Sequence, residues 1–548
     1  MLCLLLAPVV LATPVARAQA AAAPERIEPP LLAPGPFAVG FQSSWAFDEG
    51  RAYCTAYDGG KTYGSEKAPR PLLVQLWYPA RADGAAPASM PHGAYFAIGS
   101  PDPRLAAYSE ALRAHALGVF VQEVFGESEA ALDDEERAEL ELLLARPTPC
   151  RPGVEPAEGP FPLVVTHSGA GSSFEDNAAL CEFLASHGYA VLASAFPKAD
   201  GSELGIDGGR GSAEDTQFLV RWARALEFVD WRHVALVGHS AGAQAFLKYA
   251  AQPGCVADAL VLLDTTQDYY VLALPLHESV VREATEGVAN LTRPMLVVAG
   301  PEAFFALCDT LVNAERTYLT VPELGHDEFI SQGLQRLELI ARRAADGAPG
   351  APVEELARTP AVRANYRALC ETVRAFLDAE LGRDGVDFAA RLQRERRGAW
   401  SHTALHLVRV PRGVSTPEPY DPESAAPPTP RQFARLLVES GAESACSVLE
   451  RFRGSEPRGP LYTSTMLAGS LLYELCEDGR REEAGLYYSA LREIPLPALG
   501  LFEFLADLSG MQQKPEQALR FLRLACELDP ADAHLAAKLR KLEEPRSR

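Results

Sequence analysis

Short, continuous apolar runs recur through the first two thirds of the chain: Pro162 to Thr166, Ala190 to Ala195, Val234 to Val237, Ala259 to Leu263, Met295 to Ala299 and Thr317 to Val321. They lack polar-apolar alternation, as strands buried on both faces do, and helical stretches such as 178–187 and 213–228 lie between them. Neighbouring parallel strands need crossover connections, so this rhythm predicts a mostly parallel sheet flanked by helices. Two earlier strands are expected around Ala38 to Phe47 and Leu72 to Tyr78, separated by a polar, Gly-containing loop. A long helical stretch from about Leu105 to Ala145, with the acidic segment Glu127 to Glu141 as its solvated face, reads as an insertion at about 103–158 that serves as a partial lid. The amphipathic helix Arg363 to Leu381 closes the sheet domain, which spans 37–382.

Beyond that helix the pattern changes. Residues 383–430 read as a linker, with a surface basic patch Arg391 to Arg397 and a Pro-rich run Pro411 to Pro430. Residues 431–545 look all-helical, with breaks at Gly441, Gly479 and Gly510. Ala484 and Ala518 occupy matching places in two similar segments, and Leu524 to Pro530 completes a pattern that resembles tetratricopeptide repeats. This tail reads either as a cap on the sheet domain or as a peptide-binding surface for a protein partner.

The 548 residues exceed one ordinary core, and 47% hydrophobic with 23% charged side chains is a globular composition. With 51 basic against 73 acidic side chains the net charge is −22. A nucleic-acid ligand requires a basic footprint and is excluded as an expectation. Residues 1–20 are apolar and end in small residues, as a cleaved secretory signal does, so a periplasmic or secreted location follows. No later stretch is apolar enough to span a bilayer. Of ten cysteines, Cys181, Cys370, Cys476 and Cys526 read as buried small hydrophobes, whereas Cys54 and Cys150 are the disulfide candidates. Neither a metal site nor a cofactor is indicated.

The candidate chemistry begins at Gly238-His239-Ser240-Ala241-Gly242, where an apolar strand turns at once into an alanine-rich helix. A serine at such an apex is held clear of both elements at a helix N-terminus, where free N–H groups favour an oxyanion. It needs a base, and the base needs an acid to fix its tautomer. Of the downstream histidines His277, His326, His402, His406 and His534, only His326 follows a predicted strand directly, in Gly325-His326-Asp327-Glu328-Phe329. For the acid, Asp264 ends one strand and Glu302 follows the end of the next. Asp268 and Asp309 are weaker, and the residues alone favour neither strand-end position.

Four segments in order, Arg70 to Pro79, Phe161 to Gly169, Gly238 to Gly242 and Gly325 to Phe329, resemble the platelet-activating-factor acetylhydrolase-like and dienelactone-hydrolase-like α/β-hydrolases. The resemblance covers roughly 37–382 and implies an α/β-hydrolase fold with a C-terminal all-α repeat-like domain. It also implies a serine hydrolase that cleaves a small-molecule or lipid-like ester without a cofactor. In the acetylhydrolase-like branch the acid ends the strand after the nucleophile, the position that Asp264 matches; Glu302 is the alternative. The oxyanion hole would use the N–H of Ala241 and a second donor from His167-Ser168-Gly169. There the family commonly carries His-Gly, so Gly169 or Ser168 fills the role. His167 reads equally as a structural loop residue. Substrate choice is expected to depend on the insertion and on Thr266 to Arg293 with Tyr269 and Tyr270. A catalytically idle scaffold is the competing class, and a peptidase or acyltransferase would use the same three residues.

Overall fold

The computed structural model describes residues 32–54, 67–81, 89–100, 102–196, 210–269, 278–300, 303, 305–345, 353–383, 388, 406–414, 420–421, 423–425, 427–452, 465–492, 498–511 and 514–543. The expected signal segment, Glu302, Tyr270, the basic patch and residues 415–419, 422 and 426 of the Pro-rich run therefore lie outside the described residues.

Among the described residues ten strands form one sheet: β1 (Ala38–Cys54), β2 (Lys67–Ala80), β3 (Cys150–Pro152), β4 (Phe161–His167), β5 (Ala190–Ala193), β6 (Val229–His239), β7 (Ala259–Leu263), β8 (Met295–Ala299), β9 (Arg316–Thr320) and β10 (His406–Val410). Their order is β10-β9-β8-β7-β6-β4-β5-β2-β1-β3. Strands β5, β4, β6, β7, β8 and β9 pair in parallel, and β2 is antiparallel to both β1 and β5.

Helices cover both faces, as a parallel sheet requires. Val164, Val237, Val261, Val298 and Leu319 face one core with α3 (Ala178–Ser186), whereas Leu163, Val165 and Leu236 face another with Phe246 and Tyr249 of α5 (Ala241–Ala250). Successive residues of β4 thus point to opposite sides, the period of a strand.

The chain runs from β4 outward to β5 and then returns to β6 on the other side of β4. At such a switch point the loops after the two strands diverge and open a crevice at the carboxyl ends. His167 pairs with Gly238 in the ladder. The loop after β4 and the turn after β6 therefore leave the sheet at the same level.

The stretch expected as one long helix is two, α1 (Ala106–Phe125) and α2 (Asp134–Ala145). Gly126 ends the first at φ 79°, and Asp133 starts the second through a capping box with Glu136. The first two strands also extend beyond the predicted runs. Cys150, expected as a disulfide partner, is a buried free thiol 3.3 Å from the hydroxyl of Tyr95; Cys54 has a side chain outside the described residues.

The chain folds into two compact units. The first comprises Met1–Thr265, Glu286–Gly300 and Asn313–Arg409; the second comprises Thr266–Thr285, Pro301–Val312 and Val410–Arg548. The second unit joins two short segments of the sheet-forming region to seven C-terminal helices among the described residues: Pro430–Ser440, Ala442–Phe452, Thr465–Glu477, Arg481–Leu491, Gly500–Met511, Pro515–Leu528 and Ala533–Glu543. Ala484 and Ala518 are both fully buried in its core, beside Tyr487 and Phe521. Within this unit Arg431 is ion-paired with Asp309 and lies 5.2 Å over the Phe305 ring. Tyr269 packs against the same helical core. Tyr269, which the sequence alone assigned to substrate choice, thus shares a core with the tail. No helix among the described residues is long and apolar enough to cross a membrane.

Candidate active site

Ser240 stands between β6 and α5 at φ 52° and ψ −118°, a conformation that costs about 1–3 kcal/mol for a residue with a side chain. The surroundings enforce it. A Cβ at Gly238 would lie 2.5 Å from the nitrogen of Ala243, and one at Gly242 would lie 2.3 Å from the carbonyl oxygen of His167. Strand, helix and the loop after β4 approach here as closely as backbones can, which is the physical content of the two glycines. The N–H of Ser240 donates to the carbonyl of Leu263 at 2.9 Å, tying the turn to β7.

The hydroxyl of Ser240 is 3.0 Å from Nε2 of His326, and Nδ1 of His326 is 2.7 Å from Oδ2 of Asp264. Asp264 is buried at the end of β7, with its own N–H bonded to Val298 of β8. His326 is half-buried. Burial works against its protonation, but the hydrogen bond and charge of Asp264, with the charges of Asp327 and Glu123, outweigh that and raise its pKa. Glu123, on α1, is itself pushed up to about 7 by burial and by the neighbouring charge of Asp327.

The other sequence candidates are not brought to this point. Asp268 accepts the N–H of Phe305 at its main chain and Asp309 pairs with Arg431, both within the second unit. His534 is 2.7 Å from Glu503. His277 and His402, like Glu302, lie outside the described residues, and His406 is part of β10.

Ala241 is the first residue of α5, so its N–H has no carbonyl one turn earlier to bond. Gly169 passes against Ser240: a Cβ there would meet Cβ of Ser240 at 3.1 Å. Ser168 beside it is buried. His167 is occupied structurally, with Nδ1 donating to the carbonyl of Ser168 at 2.9 Å and its ring stacked on Phe196 at 3.9 Å. Burial lowers its pKa to about 4, so the ring is neutral at ordinary pH.

Several residues near the site escaped the sequence reading. His239 donates Nε2–H to the carbonyl of His326 at 3.1 Å, so the residue before Ser240 holds the main chain of His326. Burial and the charge of His326 push its pKa well down. Asp176 lies buried behind the loop after β4; burial raises its pKa to about 7 against hydrogen bonds from Ser168, Asn177 and Gly169. Its neighbour Glu175 is pushed up to about 8 by burial, opposed by the bond from Ser173. Only tertiary neighbours distinguish these carboxyls from surface ones. A cavity of about 10 Å³ between Asp176, Ser168 and His239 is large enough for about one water and for no ester. Among the described residues no group of three or more His, Cys, Asp or Glu side chains is placed to hold a metal ion.

No protein-family model matches the chain, and no curated protein matches it. Among solved structures, a ferulic acid esterase from Streptomyces cinnamoneus is similar at 20% identity, covering 64% of this chain and 92% of that one, with a TM-score of 0.39. A likeness of that degree has no bearing on the chemistry.

Proposed function

We propose that the chain is a serine hydrolase of the α/β-hydrolase type that cleaves carboxylic esters through an acyl-enzyme on Ser240. The unbroken hydrogen-bonded line Ser240, His326, Asp264, with spacings of 3.0 Å and 2.7 Å, carries this reading. Neutral His326 takes the proton of Ser240 as the oxygen attacks the ester carbonyl. The resulting imidazolium is stabilised by Asp264 and returns that proton to the departing alkoxide. Water, deprotonated by the same imidazole, then releases the acid. The N–H of Ala241 would bind the tetrahedral oxyanion with a second donor from Gly169 or Ser168, both of which hydrogen-bond Asp176 in this structure and would have to turn from it to serve; each such donor is worth about 10²- to 10³-fold.

An idle scaffold gives no reason for a strained serine to be aligned on a base whose tautomer a buried carboxylate fixes. A peptidase or acyltransferase uses the same line of residues and differs in the acyl acceptor or leaving group. An N-terminal export signal and a tetratricopeptide-like tail with a protein partner belong to the same proposal.

The test is hydrolysis of p-nitrophenyl esters of graded chain length by wild type and Ser240→Ala, with fluorophosphonate labelling alongside. The variant should lose about 10⁴-fold or more in kcat and all labelling. Wild-type turnover in that variant would falsify the proposal. An added alcohol or amine that competes with water for the acyl group would identify an acyltransferase.

A further inference from the structure

The loop that carries His326 is fastened from behind by α9 (Val353–Glu380). Glu323 at its start has a left-handed backbone, φ 65°. Glu328, two residues after the base and largely buried, turns its carboxylate back so that Oε2 accepts the N–H of Gly325 at 2.6 Å. That carboxylate does not stand alone. Arg358 of α9 donates Nη1–H to Oε1 at 2.5 Å and Nη2–H to Oε2, and the same Nη2 donates to the main-chain carbonyl of Glu323 at 2.8 Å. Further along the helix, Asn365 donates to the carbonyl of Pro322 at 2.6 Å. Both ends of segment 322–328 are therefore bonded to one helix, and His326 projects from between them.

We infer that Arg358, acting through Glu328, is a positioning residue for His326. This rests on the hydrolase reading above. A planar, bidentate guanidinium–carboxylate pair fixes orientation as well as distance, and Glu328 passes that constraint to the residue preceding the base. On its other side His326 is held by His239 through its own carbonyl. With the Arg358–Glu328 pair gone, Asn365 still holds Pro322 and His239 still holds the carbonyl of His326, but nothing from α9 fixes Gly325, and the bonds of the imidazole to Asp264 and Ser240 lengthen as the loop relaxes. Misplacing a catalytic group by about 1 Å costs about 10²-fold. The sequence contained half of this device, in Gly325-His326-Asp327-Glu328-Phe329; its partner lies thirty residues further on, in a helix whose register the motif does not reveal.

The experiment compares Arg358→Met, Arg358→Lys, Glu328→Gln and the double variant Arg358→Met/Glu328→Gln in the full chain, with Ser240→Ala as control, using p-nitrophenyl acetate across pH. A glutamine at 328 presents N–H toward Arg358 and breaks the pair without changing volume. Arg358→Met and Glu328→Gln should each lower kcat by about tenfold or more with KM within about twofold, and the double variant should be no worse than either alone. Arg358→Lys, which keeps charge and one donor, should fall between. The acid limb of kcat/KM should move to lower pH, because the Asp264 bond that raises the pKa of His326 is weakened. Wild-type kcat in both single variants, or a lower kcat with an unmoved limb, overturns the inference. If Arg358→Met does not fold, Glu328→Gln decides by the same readings. An active Ser240→Ala removes the hydrolase reading and this inference together, whereas an inactive one beside unaffected Arg358 and Glu328 variants removes this inference alone.

Discussion

The main-chain N–H of Gly300 donates to Oδ1 of Asp264 at 3.2 Å. That bond engages one carboxylate oxygen from the end of β8 and leaves the other, Oδ2, for His326. Asp264 is thus oriented by the strand that follows its own, although Gly300 carries no side chain and no motif marks it.

Asp264→Asn should keep the Gly300 bond and turn an amide N–H toward His326, which favours the wrong tautomer. A loss in kcat of about 10³- to 10⁴-fold is expected, whereas Glu302→Gln should change it by less than about twofold. The wild-type pH profile follows from the same contact. The base must be neutral to act and its pKa is raised above 6.5, so kcat/KM should rise with pH and reach half its plateau above pH 6.5. Equal losses in the two variants, or a wild-type midpoint below 6.5, would show that Asp264 is not the acid.

Gly242→Ala places a methyl group 2.3 Å from the carbonyl oxygen of His167, main chain against main chain. Neither side can yield without moving the loop after β4. We expect about a 10²-fold loss in kcat/KM and a lower Tm by thermal unfolding. Gly118→Ala on α1, where an added Cβ meets nothing within 4 Å, serves as the control and should gain up to about 1 kcal/mol.

Glu175 has a folded-state pKa of about 8 against 4.5 unfolded, raised by burial. Between those values the folded chain holds a proton that the unfolded chain releases, so its contribution to stability declines as pH rises through this window. Glu175→Gln cannot lose that proton. Its Tm should match wild type near pH 4.5 and exceed it increasingly toward pH 8; a difference that stays constant with pH would contradict the assignment.

Local information reached the turn at Ser240 because its constraints lie within a few residues: an apolar run without alternation, two glycines where backbones meet, and a helix-forming stretch. His326 was legible for a related reason, being the only downstream histidine placed directly after a predicted strand. The break at Gly126 was available too, since glycine followed by Asp133 and Glu136 spells a helix end and a capping box, but a continuous helical pattern masks such punctuation.

What the chain alone determined, then, is the rhythm of buried strands and helices and the residue types that can do the chemistry, because burial period and turn stereochemistry are properties of neighbours in sequence. The strand order that brings the loop after β4 beside Ser240, the bond from Gly300 that orients Asp264, and the Arg358 pair behind His326 were decided only by the tertiary structure. Each joins residues that are distant along the chain, and hydrogen bonds of that kind depend on register and orientation, which no local pattern encodes.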